Sequence, residues 1–178
     1  MPLPEKPEEL GNAGRPAAQT PHSGASVATL DPQAMHAVSL LTAEHRAVEA
    51  MFGAVNSGRD PELRLDTARR IAQALEIHMQ VEEELFYPAV ERATALDPEV
   101  RHARHEHDDI RARIGELTAT GTDAGAFDTA IGALEACVAH HVREEEHDLF
   151  PRLDRVDADW TAIGVAMAAR SEALRRAV

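Results

Sequence analysis

The chain has 178 residues, enough for one domain with a substantial buried core, and carries a net charge of −13. That acidity argues against nucleic acid and anionic membranes as partners, because both are recognised through basic surfaces. A single cysteine, Cys137, excludes an internal disulfide framework and any cysteine-held zinc or iron–sulfur group, which leaves oxygen donors and the nitrogens of ten histidines.

In chain order, residues 1–30 are rich in Pro, Gly, Ala, Ser and Thr without an apolar period, the composition of a disordered tail. They show no basic-then-apolar leader, and no stretch approaches the roughly 18 apolar residues of a membrane span, so a cytoplasmic location is expected. Asp31-Pro32, Asp60-Pro61 and Asp97-Pro98 each set an N-capping carboxylate before a proline suited to the first helical position. They predict helices from Pro32 to Ser57 with Gly58 as the stop, from Pro61 to about Thr94, and from Pro98 to about Thr120. The loop from Gly121 to Gly125 leads into a fourth helix ending near Asp154. A fifth helix, from about Ala158 onward, carries Trp160, Ile163, Met167 and Leu174 at helical spacing. The expected fold is all-α: an up-down-up-down four-helix bundle over residues 31–156, with residues 157–178 as an additional C-terminal helix packed on the bundle or on a partner.

Each of the four bundle seams is interrupted by ionisable residues. The first reads Val38, Leu41, His45, Val48, Phe52 and Val55; the third reads Val100, Ala103, His107, Ile110, Ile114 and Leu117. In the second, Ile71 and Leu75 are followed by His78 and Glu82; in the fourth, Leu134 and Val138 are followed by His141 and Glu145. The segment from His78 to Pro88 is thereby repeated from His141 to Pro151, and each copy is preceded by a Glu-His pair, Glu44-His45 and Glu106-His107, at nearly the same interval. A two-helix unit has been used twice. Pro88 and Pro151 are expected to kink or end their helices beyond the Glu.

Six ionisable side chains, His45, His78, Glu82, His107, His141 and Glu145, therefore occupy core positions. Unpaired buried carboxylates cost on the order of several kcal/mol each, against a net stability of about 5–15 kcal/mol for a domain. Bound cations are the economical compensation. Residues four apart stack on one helix face, so each His-x-x-x-Glu presents two donors to one point on the bundle axis. Four nitrogens and two carboxylates exceed one tetrahedral zinc and suit two ions, with two His per ion, both Glu bridging and an oxo or hydroxo bridge from solvent. The mixed donor set with open positions favours iron over manganese or zinc, and an open redox metal implies a small diatomic or peroxide ligand.

The remaining candidates have plainer expectations. His36, His102, His105, His140 and His147 fall off the seams and should be solvated. Glu83 and Glu146 are expected to be surface charges, with orientation of imidazole N–H groups as the alternative. Cys137, one turn before His141, should be a small buried thiol. Tyr87, five residues past Glu82, is expected to point off the ligand face.

The doubled His-x-x-x-Glu-Glu-x-x-x-x-Pro, each with its upstream Glu-His, resembles the hemerythrin-like or HHE cation-binding family over about Met35 to Val156. The resemblance implies a four-helix bundle around a non-haem di-iron centre, with His45, His78, Glu82, His107, His141 and Glu145 as ligands. It also implies a stress-protective reaction with O2, NO or H2O2, of catalase- or peroxidase-like type; a sensor or binding module signalling through the C-terminal helix is the alternative, as a monomer or homodimer. Oxygen-carrying members add a second His one turn away on the third helix, where this chain has Ala103 and Arg111, and their last-helix spacing would select Glu146 in place of Glu145. Iron–sulfur repair members carry an N-terminal cysteine segment that residues 1–30 do not match. Ferritin-like di-iron proteins pair Glu with His at i+3 and are richer in carboxylate.

Overall fold

The computed structural model describes Met1 and residues 36–121 and 123–177. The expected disordered tail and the Asp31-Pro32 cap lie outside the described residues. All regular structure among the described residues is helical. Helix α1 spans Ala37–Ser57. It begins later than the proline predicted, because His36 is extended, with ψ 133°. Gly58 closes it through an N–H donated to the Ala54 carbonyl.

Helix α2, Pro61–Val81, is capped by Asp60, whose carboxylate accepts from the N–H groups of Glu62 and Leu63. A π-helical turn over Glu82–Phe86 carries it into α3, Tyr87–Ala93. Helix α4 is Asp97–Ala119, and here Asp97 is the first helical residue, so it makes no side-chain cap. Its charge still suits the positive end of the helix dipole. Gly121, at φ 58°, takes the left-handed conformation that ends this arm. Helix α5, Ala124–Glu144, is capped by Asp123 and passes through a second π turn, Glu145–Leu149, into α6, Phe150–Leu153. Helix α7 is Trp160–Ala177.

α1 packs along α2 and α4 along α5, which closes the bundle, and α7 lies against α1, α2 and the first π turn. The apolar seams form two separate clusters. One, toward α7, contains Leu41, Val81, Phe86, Phe150, Trp160 and Met167. The other contains Phe52, Ile71, Leu75, Ile114, Phe127 and Leu134. The polar residues of the four seams lie between these clusters, sealed from solvent at both ends.

Candidate metal centre

His45 on α1, His78 on α2, His107 on α4 and His141 on α5 meet Glu82 and Glu145 at the starts of the two π turns. None is more than 5% exposed. The Nε2 atoms of His45 and His78 are 3.3 Å apart, as are those of His107 and His141. Glu82 Oε2 lies 3.2 Å from His78 Nε2 and 3.3 Å from His107 Nε2. Glu145 Oε2 lies 3.4 Å from His45 Nε2 and 3.6 Å from His141 Nε2. Such separations match the edges of a donor polyhedron around an ion about 2.0–2.2 Å from each atom.

The opposite edges of the four rings explain which nitrogens face inward. His45 Nδ1 donates to Glu146 at 2.9 Å, His78 Nδ1 to Glu44 at 2.9 Å, His107 Nδ1 to Glu83 at 2.8 Å and His141 Nδ1 to Glu106 at 3.0 Å. A carboxylate accepts, so each Nδ1 carries a proton and each ring turns its Nε2 to the centre, where that atom is a lone-pair donor in the neutral form a metal ligand takes. Two lone pairs facing each other at 3.3 Å have no hydrogen bond to make. Glu82 Oε1 and Glu145 Oε2 are likewise buried without a hydrogen-bond partner. Burial and the charge of Glu145 push Glu82 up to about 8. Burial pushes Glu145 up as well, but His141 and His45 outweigh it and hold that carboxyl at about 2. Buried carboxylate oxygens without hydrogen-bond partners, facing four imidazole Nε2 atoms, mark where a cation would engage these donors.

The π turns correct the reading of Tyr87. Pro88 and Pro151 have no N–H for an ordinary helical bond, and each helix widens one turn upstream in place of ending. The Tyr87 N–H donates to the Glu82 carbonyl and the Phe150 N–H to the Glu145 carbonyl, both at i−5. A residue five past the Glu thus shares its face. Tyr87 is fully buried and its hydroxyl donates to Glu145 Oε1 at 2.9 Å, 3.2 Å from His107 Nε2 and 3.5 Å from Glu82 Oε2. In the second copy the same position is Phe150, whose ring stacks parallel to that of His45 with centroids 6.1 Å apart. One side of the centre is therefore hydroxylic and the other apolar.

Glu83 and Glu146 are hydrogen-bonded to imidazoles and to Arg111 and Arg46, so surface charge is not their role. Glu146 turns to the outer edge of His45, and the inward carboxylate of this helix is Glu145. Glu44 and Glu106 had no expected role; their only sequence signal is that each directly precedes an inward-facing His, while the ring each holds is on the next helix. His102, His105, His140 and His147 are exposed and His36 is half-buried. Cys137 is half-buried, not fully buried, and burial raises its thiol.

A solved hemerythrin HHE cation binding domain-containing protein from Mycobacterium kansasii superposes with a TM-score of 0.71 at 23% identity, over 80% of this chain and 88% of that one. Among curated relatives, an uncharacterized protein of Mycobacterium tuberculosis is 29% identical over 104 residues, 57% of this chain and 63% of that protein. A DNA nickase of a Nostoc species is 26% identical over 120 residues, 67% of this chain but only 34% of the nickase. This chain thus spans less than two thirds of either curated relative. The Hemerythrin HHE cation binding domain matches residues 36–153, which run from the start of α1 to the end of α6 and hold every donor described above, and the chain belongs to that family.

Proposed function

We propose that the chain is a non-haem di-iron protein that binds and reacts with O2, NO or H2O2 in protection against oxidative or nitrosative stress. The observation that carries this reading is the set of four imidazoles, each fixed at Nδ1 by a carboxylate, turning Nε2 lone pairs toward two buried carboxylates. His45 and His78 would hold one ion, His107 and His141 the other, and Glu82 and Glu145 would bridge them. Bound there, an iron pair supplies the redox chemistry. The chain's own groups do the rest. Glu44, Glu83, Glu106 and Glu146 keep the rings oriented. The Tyr87 hydroxyl donates toward Glu145 on one side, and Phe150 excludes water on the other.

Size supports a small ligand. The space beside His45, His78 and His141 is about 10 Å³, room for little more than one water-sized molecule. Nicking of DNA is not carried over from the Nostoc relative, because this chain matches only a third of that protein and its charge of −13 repels a phosphate backbone. Among the described residues no helix is long and apolar enough to cross a membrane, which agrees with the cytoplasmic location we propose. A sensor acting through the last helix has no free apolar stripe to use, since Trp160 and Met167 are buried against the chain's own bundle.

The test is elemental analysis with absorption spectroscopy on protein purified without added metal. Two irons per chain are expected, with near-ultraviolet bands lost in Glu82→Ala, Glu145→Ala protein, followed by peroxide consumption and nitric oxide binding above those of free iron. One zinc per chain, or a folded chain that never held metal, would sink the di-iron reading.

A further inference from the structure

Three of the four carboxylates that hold the rings are also held by an arginine: Glu44 by Arg175 at 3.3 Å, Glu83 by Arg111 at 2.9 Å and Glu146 by Arg46 at 2.5 Å. Glu106 differs. Its Oε2 accepts from His141, while Oε1 is buried with no hydrogen-bond partner, on a side chain only 8% exposed. Two histidines face that oxygen: His140 Nε2 at 3.3 Å and His102 Nε2 at 3.7 Å. Glu144 completes the group, 3.9 Å from His140 Nε2 and 4.0 Å from His102 Nε2.

The sequence pattern is the one used at the buried centre. His102 and Glu106 stand at i and i+4 on α4, and His140 and Glu144 at i and i+4 on α5, so two His-x-x-x-Glu pairs face each other across adjacent helices. The donors of His102, Glu106 and His140 all lie within 4.8 Å of one another. Separations of 3.3 and 3.7 Å are those of donors sharing one small ion. Imidazole with carboxylate is the donor set of divalent first-row transition metals. The rings are half-exposed, leaving the remaining positions to exchangeable water.

We propose that His102, Glu106 and His140, with Glu144 as a fourth donor, bind a divalent first-row transition-metal ion, and that iron(II) is received here before it passes to the buried centre. The second clause rests on the di-iron reading; the first does not. A cavity of about 260 Å³ opens beside the peripheral group and is bounded by His102, Glu106, Glu144, Asp148 and the buried Glu145. Its carboxylates extend from the exposed Asp148 to the edge of the centre at Glu145. Glu106 touches both sites, one oxygen on the peripheral group and the other on His141.

The test titrates Zn²⁺ against a chromophoric chelator into the chain with its buried ions in place, and counts iron and zinc separately. Wild type is expected to bind one more zinc per chain than His102→Ala, His140→Ala protein, with iron unchanged. Each single variant should bind that zinc roughly 10- to 100-fold more weakly. Both side chains are more than half exposed, so folding is not at risk, and an unchanged circular dichroism spectrum checks it. Equal zinc binding by wild type and double variant overturns the site. For the receiving role, iron(II) added to metal-free protein should fill the buried centre roughly two-fold or more slowly in the double variant, with the same iron content at the end. Equal filling rates overturn that role. A wild type holding no iron at all defeats the di-iron reading, while the difference in zinc between the two proteins still decides the peripheral site.

Discussion

At the residue scale the centre depends on proton placement as much as on donor count. An imidazole turns its lone pair inward only if its other nitrogen keeps the proton, and the carboxylates on Nδ1 enforce that. Glu83→Gln keeps the shape of its side chain but loses the charge that holds His107. Iron affinity should fall about 10- to 100-fold by chelator competition, whereas Glu76→Gln, which loses only a contact of 3.6 Å to Arg111, should leave it unchanged. Tyr87→Phe removes the one hydroxyl that reaches Glu145 among the described residues. Both irons should remain and the near-ultraviolet and visible bands should shift; an identical spectrum would show that the hydroxyl does not influence the metals.

At the element scale, the π turns and α7 share the work of holding the site. Each π turn starts at a buried Glu, Glu82 or Glu145, and ends one residue before an aromatic that the altered register swings toward the centre. Helix α7 braces the first turn: Trp160 packs against Phe86 with centroids 6.0 Å apart, and Arg170 makes a two-point contact with Glu84. These contacts are unequal. Trp160→Ala vacates a buried position and should cost about 3–5 kcal/mol in denaturant unfolding. Arg170→Ala removes an exposed pair and should leave the melting temperature nearly unchanged.

At the scale of the whole molecule, the buried charge layer makes stability depend on metal and pH together. In metal-free protein Glu82 titrates at about 8, above its ordinary 4.5, because of burial and the Glu145 charge. His141 is also raised: burial pushes it down, but the charges of Glu145 and its bond to Glu106 outweigh that. Both groups bind protons more tightly folded than unfolded, so stability falls as pH rises from about 5 to about 8. The melting temperature of metal-free protein should drop across that window. Metal-loaded protein, whose cations neutralise the same carboxylates, should show a much flatter profile and melt higher throughout. Parallel profiles would mean that the ions do not engage Glu82.

The periodicity of single helices was enough to determine the bundle and the six inward-facing side chains, because a 3.6-residue repeat fixes which residues share a face. Tyr87 escaped that logic, since Pro88 changes the helix to a five-residue step exactly one turn upstream and the period used to place the residue no longer applies. Asp97 escaped it too, because a helix begins where its first carbonyl is taken up, and here that carbonyl belongs to Leu96. The partners of Glu44, Glu83, Glu106 and Glu146 were decided only in the tertiary structure. Each holds a ring on a neighbouring helix, and the rotation and stagger between helices are set by packing of the two apolar clusters, a property of no single segment.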